Sequence, residues 1–287
     1  MLNRRELLKQ MALVTAGSFF MNDTLALHDA KNKKIGVQLY TLRDAISKDA
    51  KGSLKRVAEL GFGEVENFGY NGKFFGMDAS TYKTLLGDLG MTAPSGHYMY
   101  GNILNGWEKA VEDAKAIGHD YMVLAYLTPP ERKSLDDYKK IAENLNKAGE
   151  VCKKAGIQLC YHNHEFEFEA MNGQLPFDIL TGETDAGLVK IELDLYWAMV
   201  AGQDPVALFK KHKGRIALWH VKDMDKTPKK NFTEVGNGVI DFTTIFKNAK
   251  TSGMKHFFVE QDVCPGSPFD SISQSIGYIK SNLIKHL

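Results

Sequence analysis

The chain has 287 residues, 44% of them hydrophobic and 25% charged, enough apolar material for one large domain with a full core. Lys and Arg number 36 against 35 Asp and Glu, a formal net charge of +1, so no overall field draws the chain to nucleic acid or to an anionic membrane. Three cysteines, Cys152, Cys160 and Cys264, are too few and too scattered for a disulfide framework.

The first 30 residues differ from the rest. Arg4 and Arg5 are followed by Leu7, Leu8 and Lys9, then by an apolar run from Met11 to Met21 and small residues near Ala26. The pattern resembles a twin-arginine export signal. The run is shorter than the ~20 residues a membrane span needs. Residues 1–30 are therefore expected to be a signal peptide and 31–287 a single domain working in the periplasm or outside the cell, free of the membrane after export. The competing reading is an amphipathic helix belonging to the mature fold.

From Lys34 onward, short β-branched and aromatic runs alternate with helical stretches. Eight strands are expected: "KIGVQLY" (34–40), "GEVENF" (63–68), "TAPSGHY" (92–98), "YMVLAYL" (121–127), "IQLCYHNH" (157–164), "VKIELDL" (189–195), "RIALWHVK" (215–222) and "HFFVEQD" (256–262). Between them lie amphipathic segments such as "SLDDYKKIAENLNKAGEVCKKAG", which stops at Gly156. Eight strands alternating with helices over this length predict an α/β fold, a (β/α)8 TIM barrel in one domain. A doubly wound open sheet would carry a glycine-rich phosphate loop after its first strand, and "QLYTLRDA" has none.

In such a barrel, catalytic groups sit at the carboxyl ends of the strands. Here those ends supply Gln38, Glu66, His97, His162, His164, Asp194, His220, Lys222, Glu260 and Asp262. Residues two apart share a strand face, so His162 points with His164, and His220 with Lys222. Carboxylates and imidazoles aimed at one small volume need a cation to neutralise them, and one divalent ion (Mn, Co, Zn, Fe or Mg) is the expected cofactor. Asp194, His220 and Glu260 are the ligand candidates from three strands, with His162 or His164 as the fourth. His119, His212 and His256 read as ordinary helix or loop residues, Asp225 and Glu234 as solvated charges. Trp219 reads as packing. Trp197 and His97 are balanced between packing and lining the site.

Several of these segments together resemble the xylose-isomerase-like barrels, in particular the sugar phosphate isomerase/epimerase group. The carriers are "GFGEVEN", "AGIQLCYHNHEFEF", "ELDLYWAMVAGQDP", "WHVKD", "GNGVIDF" and "FVEQD", in that order from about Lys34 to the carboxyl terminus. The resemblance implies one divalent metal held by a glutamate on the fifth strand, an aspartate on the sixth, a histidine on the seventh and a glutamate on the eighth. Asp194, His220 and Glu260 match the last three. On the fifth strand His162 stands where the glutamate would be, with His164 as understudy and Glu165 or Glu167 available if the register slips.

The implied activity is a metal-dependent isomerase or epimerase that removes a proton beside a sugar ketone. Glu260, His164 and Lys222 are the acid/base candidates, and Glu66, His97 and Trp197 the sugar contacts. Histidine in place of the fifth-strand glutamate favours a related lyase or dehydratase as runner-up, in which the same proton loss is followed by loss of a β-oxygen substituent. A barrel that binds carbohydrate without catalysis is the reading from another class. The expected partner is a small sugar or keto-glycoside, with self-association into a homo-oligomer allowed and nucleic acid excluded.

Overall fold

The computed structural model describes residues 34–287, so the expected signal lies outside the described residues. Eight parallel strands close into a barrel: β1 (Gly36–Gln38), β2 (Glu64–Asn67), β3 (Thr92–Tyr98), β4 (Tyr121–Leu124), β5 (Gln158–His162), β6 (Val189–Asp194), β7 (Ile216–Val221) and β10 (His256–Val259). Around the barrel they run β1, β10, β7, β6, β5, β4, β3, β2 and back to β1. A two-stranded antiparallel ribbon, β8 (Asp223–Met224) with β9 (Phe232–Thr233), stands just beyond β7.

All eight expected strands are present, and most stop short of their expected carboxyl ends. Pairing on β5 ends at His162 and on β10 at Val259, where the chain turns into polar loops. The segments carrying chemistry are thus strand ends and the first loop residues beyond them. The helices fall where the amphipathic runs lie. The longest, Leu135–Ala155, starts at Ser134, whose hydroxyl accepts from the Asp137 amide while Asp137 accepts from the Ser134 amide. It ends at Gly156 in the left-handed conformation, φ 81°. Its buried face, Tyr138, Ile141, Ala142, Leu145 and Cys152, recurs at helical spacing.

Barrel strands bury both faces. Outward residues such as Val65, Leu124, Leu193, Trp219 and Phe257 join the main core against the helices. Inward ones, Val123, Cys160, Leu218 and Phe258, form a small separate floor. Gly36 belongs to that floor because nothing larger fits: a Cβ there would lie 2.4 Å from the Phe258 ring and 2.8 Å from the Phe257 carbonyl oxygen. Trp219 is fully buried, stacked on Phe209, and its indole donates to Ser252. The three cysteines are free. Among the described residues no helix is long and apolar enough to cross a membrane.

Candidate metal centre

Above the apolar floor the inward side chains turn polar. Following one face upward, β5 presents Cys160, His162 and then His164; β6 presents Glu192 and Asp194; β7 presents Leu218, His220 and Lys222; β10 leads from Phe258 to Glu260 and Asp262. Opposite them stand Gln38, Glu66 and His97 on β1 to β3.

The deeper part is a network of carboxylates and imidazoles in which Glu192 Oε1 is left without a hydrogen-bond partner. Glu192 Oε2 lies 2.7 Å from His97 Nε2, 3.0 Å from His162 Nδ1 and 3.2 Å from His220 Nε2. Glu66 Oε2 lies 2.6 Å from His220 Nε2 and accepts from the Gln38 amide at 2.8 Å, while Oε1 accepts from the Ser95 hydroxyl at 2.5 Å. Both glutamates are fully enclosed.

The upper part faces the mouth. His220 Nδ1 is 2.6 Å from Glu260 Oε2 and 4.0 Å from Asp194 Oδ2, and His162 Nε2 is 3.7 Å from the same Asp194 oxygen. Both histidines therefore have one nitrogen against a buried glutamate and the other turned toward the Asp194 and Glu260 pair. Carboxylate backing of this kind fixes the orientation of metal-ligating histidines. Lys222 Nζ lies 2.7 Å from Glu260, 3.0 Å from Asp194 and 3.0 Å from Asp262. Its approach to Asp194 Oδ2 is too bent for a hydrogen bond, and that buried oxygen has no hydrogen-bond partner.

Charge follows this arrangement. Burial pulls the pKa of His162 down to about 4, with the neighbouring His220 adding to the effect, and drives His164 well below its usual value. Both are neutral near pH 7, the form in which imidazole binds a metal. Burial also opposes the charge on His220 and on Lys222, but the surrounding carboxylates outweigh it and hold both pKa values well above normal. Glu66 is raised, first by burial and then by Glu192, and burial pushes Asp262 up to about 6.

The donor set meets the requirements of a divalent cation. One ligand atom from each of Asp194, His220 and Glu260 lies within 4.8 Å of the others, all three are buried, and Asp194 Oδ2 accepts no hydrogen bond. His162 Nε2 completes a set of two nitrogens and two oxygens, the mixed chemistry that suits first-row divalent ions.

A family model described as a xylose isomerase-like TIM barrel matches residues 54–282. The chain belongs to that family. A solved structure titled a sugar phosphate isomerase/epimerase, from Parabacteroides distasonis, is 29% identical with a TM-score of 0.77, covering 88% of this chain and 95% of its own. A curated inosose dehydratase from Clostridium beijerinckii is 28% identical over 164 residues, 50% of this chain and 54% of the relative. The chain spans about half the length of the curated relatives it matches. A structure titled IOLI protein with a binding zinc atom shares the fold, at 14% identity and a TM-score of 0.71.

Within this xylose isomerase-like barrel, the expected ligands Asp194, His220 and Glu260 stand together, and His162 rather than His164 turns a nitrogen toward Asp194. His164 sits nearer the mouth, its ring 5.0 Å from that of His162 and 5.8 Å from Trp197. His164 Nδ1 and Trp197 Nε1 are buried and have no protein partner. Glu66 and His97, read from sequence as sugar contacts, are placed otherwise: Glu66 has both oxygens engaged inside the barrel, and His97 Nε2 is spent on Glu66 and Glu192. Glu167 is no ligand in this arrangement. It accepts from the Tyr161 hydroxyl and from the His164 amide, bracing the turn after β5.

Glu234, expected to be solvated, is buried and accepts from the Ser271 hydroxyl. Asp225 is half-buried and accepts from Thr227 and Asn231 within the β8–β9 loop. Glu192 is the residue sequence reasoning overlooked. Its position two before Asp194 on β6 placed it on the same inward face.

Proposed function

We propose that this barrel is a divalent-metal-dependent isomerase or epimerase that removes a proton from the carbon beside a sugar ketone. The observation carrying this reading is the split of His162 and His220 between buried glutamates on one side and the Asp194 and Glu260 pair on the other. His162, Asp194, His220 and Glu260 would hold the ion, which when bound polarises a carbonyl oxygen and stabilises an enediolate.

The chain's own residues do the rest. Glu66 and Glu192 hold the two imidazoles in one orientation, and His97 ties those glutamates together. Neutral His164 is in place to take the proton on Nδ1, and Trp197 offers its indole N–H to a sugar hydroxyl. Lys222, kept protonated by its carboxylates, supplies positive charge beside the developing enediolate. Return of the proton to the opposite face gives an epimer, and return to the neighbouring carbon gives an isomer.

A dehydratase or lyase outcome is the second reading, favoured by histidine on β5 where a second carboxylate would serve a symmetric epimerase, and by the relatives named inosose dehydratase. Catalysis outside the cytoplasm on unphosphorylated sugar is part of the proposal and rests on the Arg4–Arg5 pattern. Incubation of metal-loaded protein with keto-sugars in heavy water tests the common step. Deuterium at the carbon beside the carbonyl, abolished by chelation, is the expected result; ligand binding unaffected by chelation and without exchange would make the protein a carbohydrate binder. Product NMR separates an epimer from a product that has lost water or an alcohol.

A further inference from the structure

Among the described residues five large hydrophobic side chains are exposed: Tyr40 (41%), Met99 (43%), Val239 (49%), Leu104 (53%) and Val263 (64%). Every one follows the carboxyl end of a barrel strand, so all five lie at the mouth end of the molecule. Tyr40 and Val263 follow the adjacent strands β1 and β10, Met99 and Leu104 follow β3, and Val239 follows the ribbon after β7. Phe68, just past β2, fills the gap: its ring is edge-on to Tyr40 at 5.4 Å and 5.3 Å from Phe75. One arc of the rim, β10–β1–β2–β3, is therefore apolar.

That arc is continuous with the candidate site. Tyr40 follows Gln38 by two residues and donates its backbone N–H to the Gln38 side chain, whose amide holds Glu66. Met99 follows His97 by two, and Val263 adjoins Asp262, which holds Lys222. Arg43 pins the arc from outside, its guanidinium 4.6 Å from the Tyr40 ring centre and bonded to the Asp262 carbonyl at 3.0 Å. Of the cations at this end, Arg43 is engaged in that way, Arg132 on the Leu127 carbonyl and 3.5 Å over the Phe166 ring, and Lys222 among its carboxylates, while Lys73, Lys133, Lys226 and Lys229 stand exposed on the surrounding loops. Apolar surface grouped beside a polar pocket marks a binding site for a ligand that is itself divided in the same way.

We infer that the substrate is a glycoside carrying an apolar aglycone, its sugar over the His162, Asp194, His220 and Glu260 cluster and its aglycone on the rim formed by Tyr40, Phe68, Met99 and Val263. This inference rests on the proposed function for the sugar half only. The test uses keto-glycosides differing only in aglycone, methyl against phenyl, with proton exchange into solvent as the rate and calorimetric binding as a separate readout. The phenyl compound is expected to show a KM or Kd about tenfold lower, the effect of burying one ring face. Tyr40→Ser and Met99→Ser should each remove much of that preference, read as the ratio of phenyl to methyl KM or Kd. Equal affinity for the two aglycones overturns the inference, as does a loss that is the same for both. Rim variants that change only the molecular mass in solution would make the arc a contact between copies of the chain and overturn it too. Phenyl preference in binding without any solvent exchange would uphold the rim and refute the proposed reaction, so the two failures are distinguishable.

Discussion

Lys222→Met separates the architecture of the site from its chemistry. The ammonium lies 2.7–3.0 Å from Asp194, Glu260 and Asp262, in a place where Lys222 is 2% exposed. Methionine keeps the length of the side chain and removes the charge. Deleting one partner of a buried ion pair typically costs about 3–5 kcal/mol, because the opposite charge is left without compensation. For a domain of this size each 1 kcal/mol shifts the melting temperature by about 2–4 °C, so metal-free Lys222→Met should melt roughly 10 °C below the metal-free parent. Addition of a divalent cation should reverse the order. The ammonium and the ion compete for the same Asp194 and Glu260 oxygens, so the variant should bind Zn²⁺ or Mn²⁺ about tenfold more tightly, as read by calorimetric titration after chelation. A metal-free variant melting within about 2 °C of the parent, with no gain in affinity, would show that the lysine neither compensates those carboxylates nor competes with an ion.

His162→Ala should lose bound metal, whereas His164→Ala should keep it and lose proton exchange; elemental analysis beside the heavy-water assay decides, and the reverse pattern would exchange their roles. His119 is buried between Asn67 and Tyr98, and burial lowers its pKa to about 3. It is neutral when folded but takes up a proton near pH 6.5 when unfolded, so its contribution falls as pH drops below that value, by about 2 kcal/mol at pH 5. Urea unfolding should therefore show the gap between parent and His119→Gln narrowing by about that much between pH 7 and pH 5. Gly36→Ala should cost about 1–3 kcal/mol and lower the melting temperature, since the new methyl group meets the Phe258 ring and the Phe257 carbonyl in a floor with no slack.

Strand and helix alternation was readable because barrel strands are apolar on both faces and helix stops such as Gly156 are chemically marked. The side chains of the upper site were readable for a related reason: polar residues at the ends of apolar runs stand out. Glu66 shows where that reasoning fails. Strand parity gave its face but not its depth, and depth depends on the stagger between β2 and β7, which brings Glu66 against His220 across the barrel from 154 residues away. Glu192 was hidden similarly, as one charge inside "VKIELDL" beside the more conspicuous Asp194. Glu234 and Asp225 lie in one polar loop and look alike in sequence. Packing of the helix Pro268–Tyr278 against that loop, bringing Ser271 to Glu234, buries one and leaves the other half-exposed.

Charge balance across the two tiers ties these residues to one measurable quantity. Glu66, Glu192, Asp194, Glu260 and Asp262 bring five carboxylates into a volume where Lys222, His220 and His97 are the groups held positive. Two negative charges are left over if every carboxylate is ionised. Without an ion, the excess is relieved by protons, and Glu66 and Asp262 are the two carboxylates whose pKa values burial raises, Asp262 to about 6. A divalent cation held by His220 displaces the proton on that imidazole, so its two charges take the place of the His220 proton and of one of the two carboxylate protons. Binding should therefore release protons, more at pH 5.5, where Asp262 is largely protonated, than at pH 8, and affinity should rise with pH across that range. Calorimetric titrations in buffers of different ionisation enthalpy count the protons directly. Release that is equal at the two pH values, or absent at pH 5.5, would mean that the ion does not share its charge with this network.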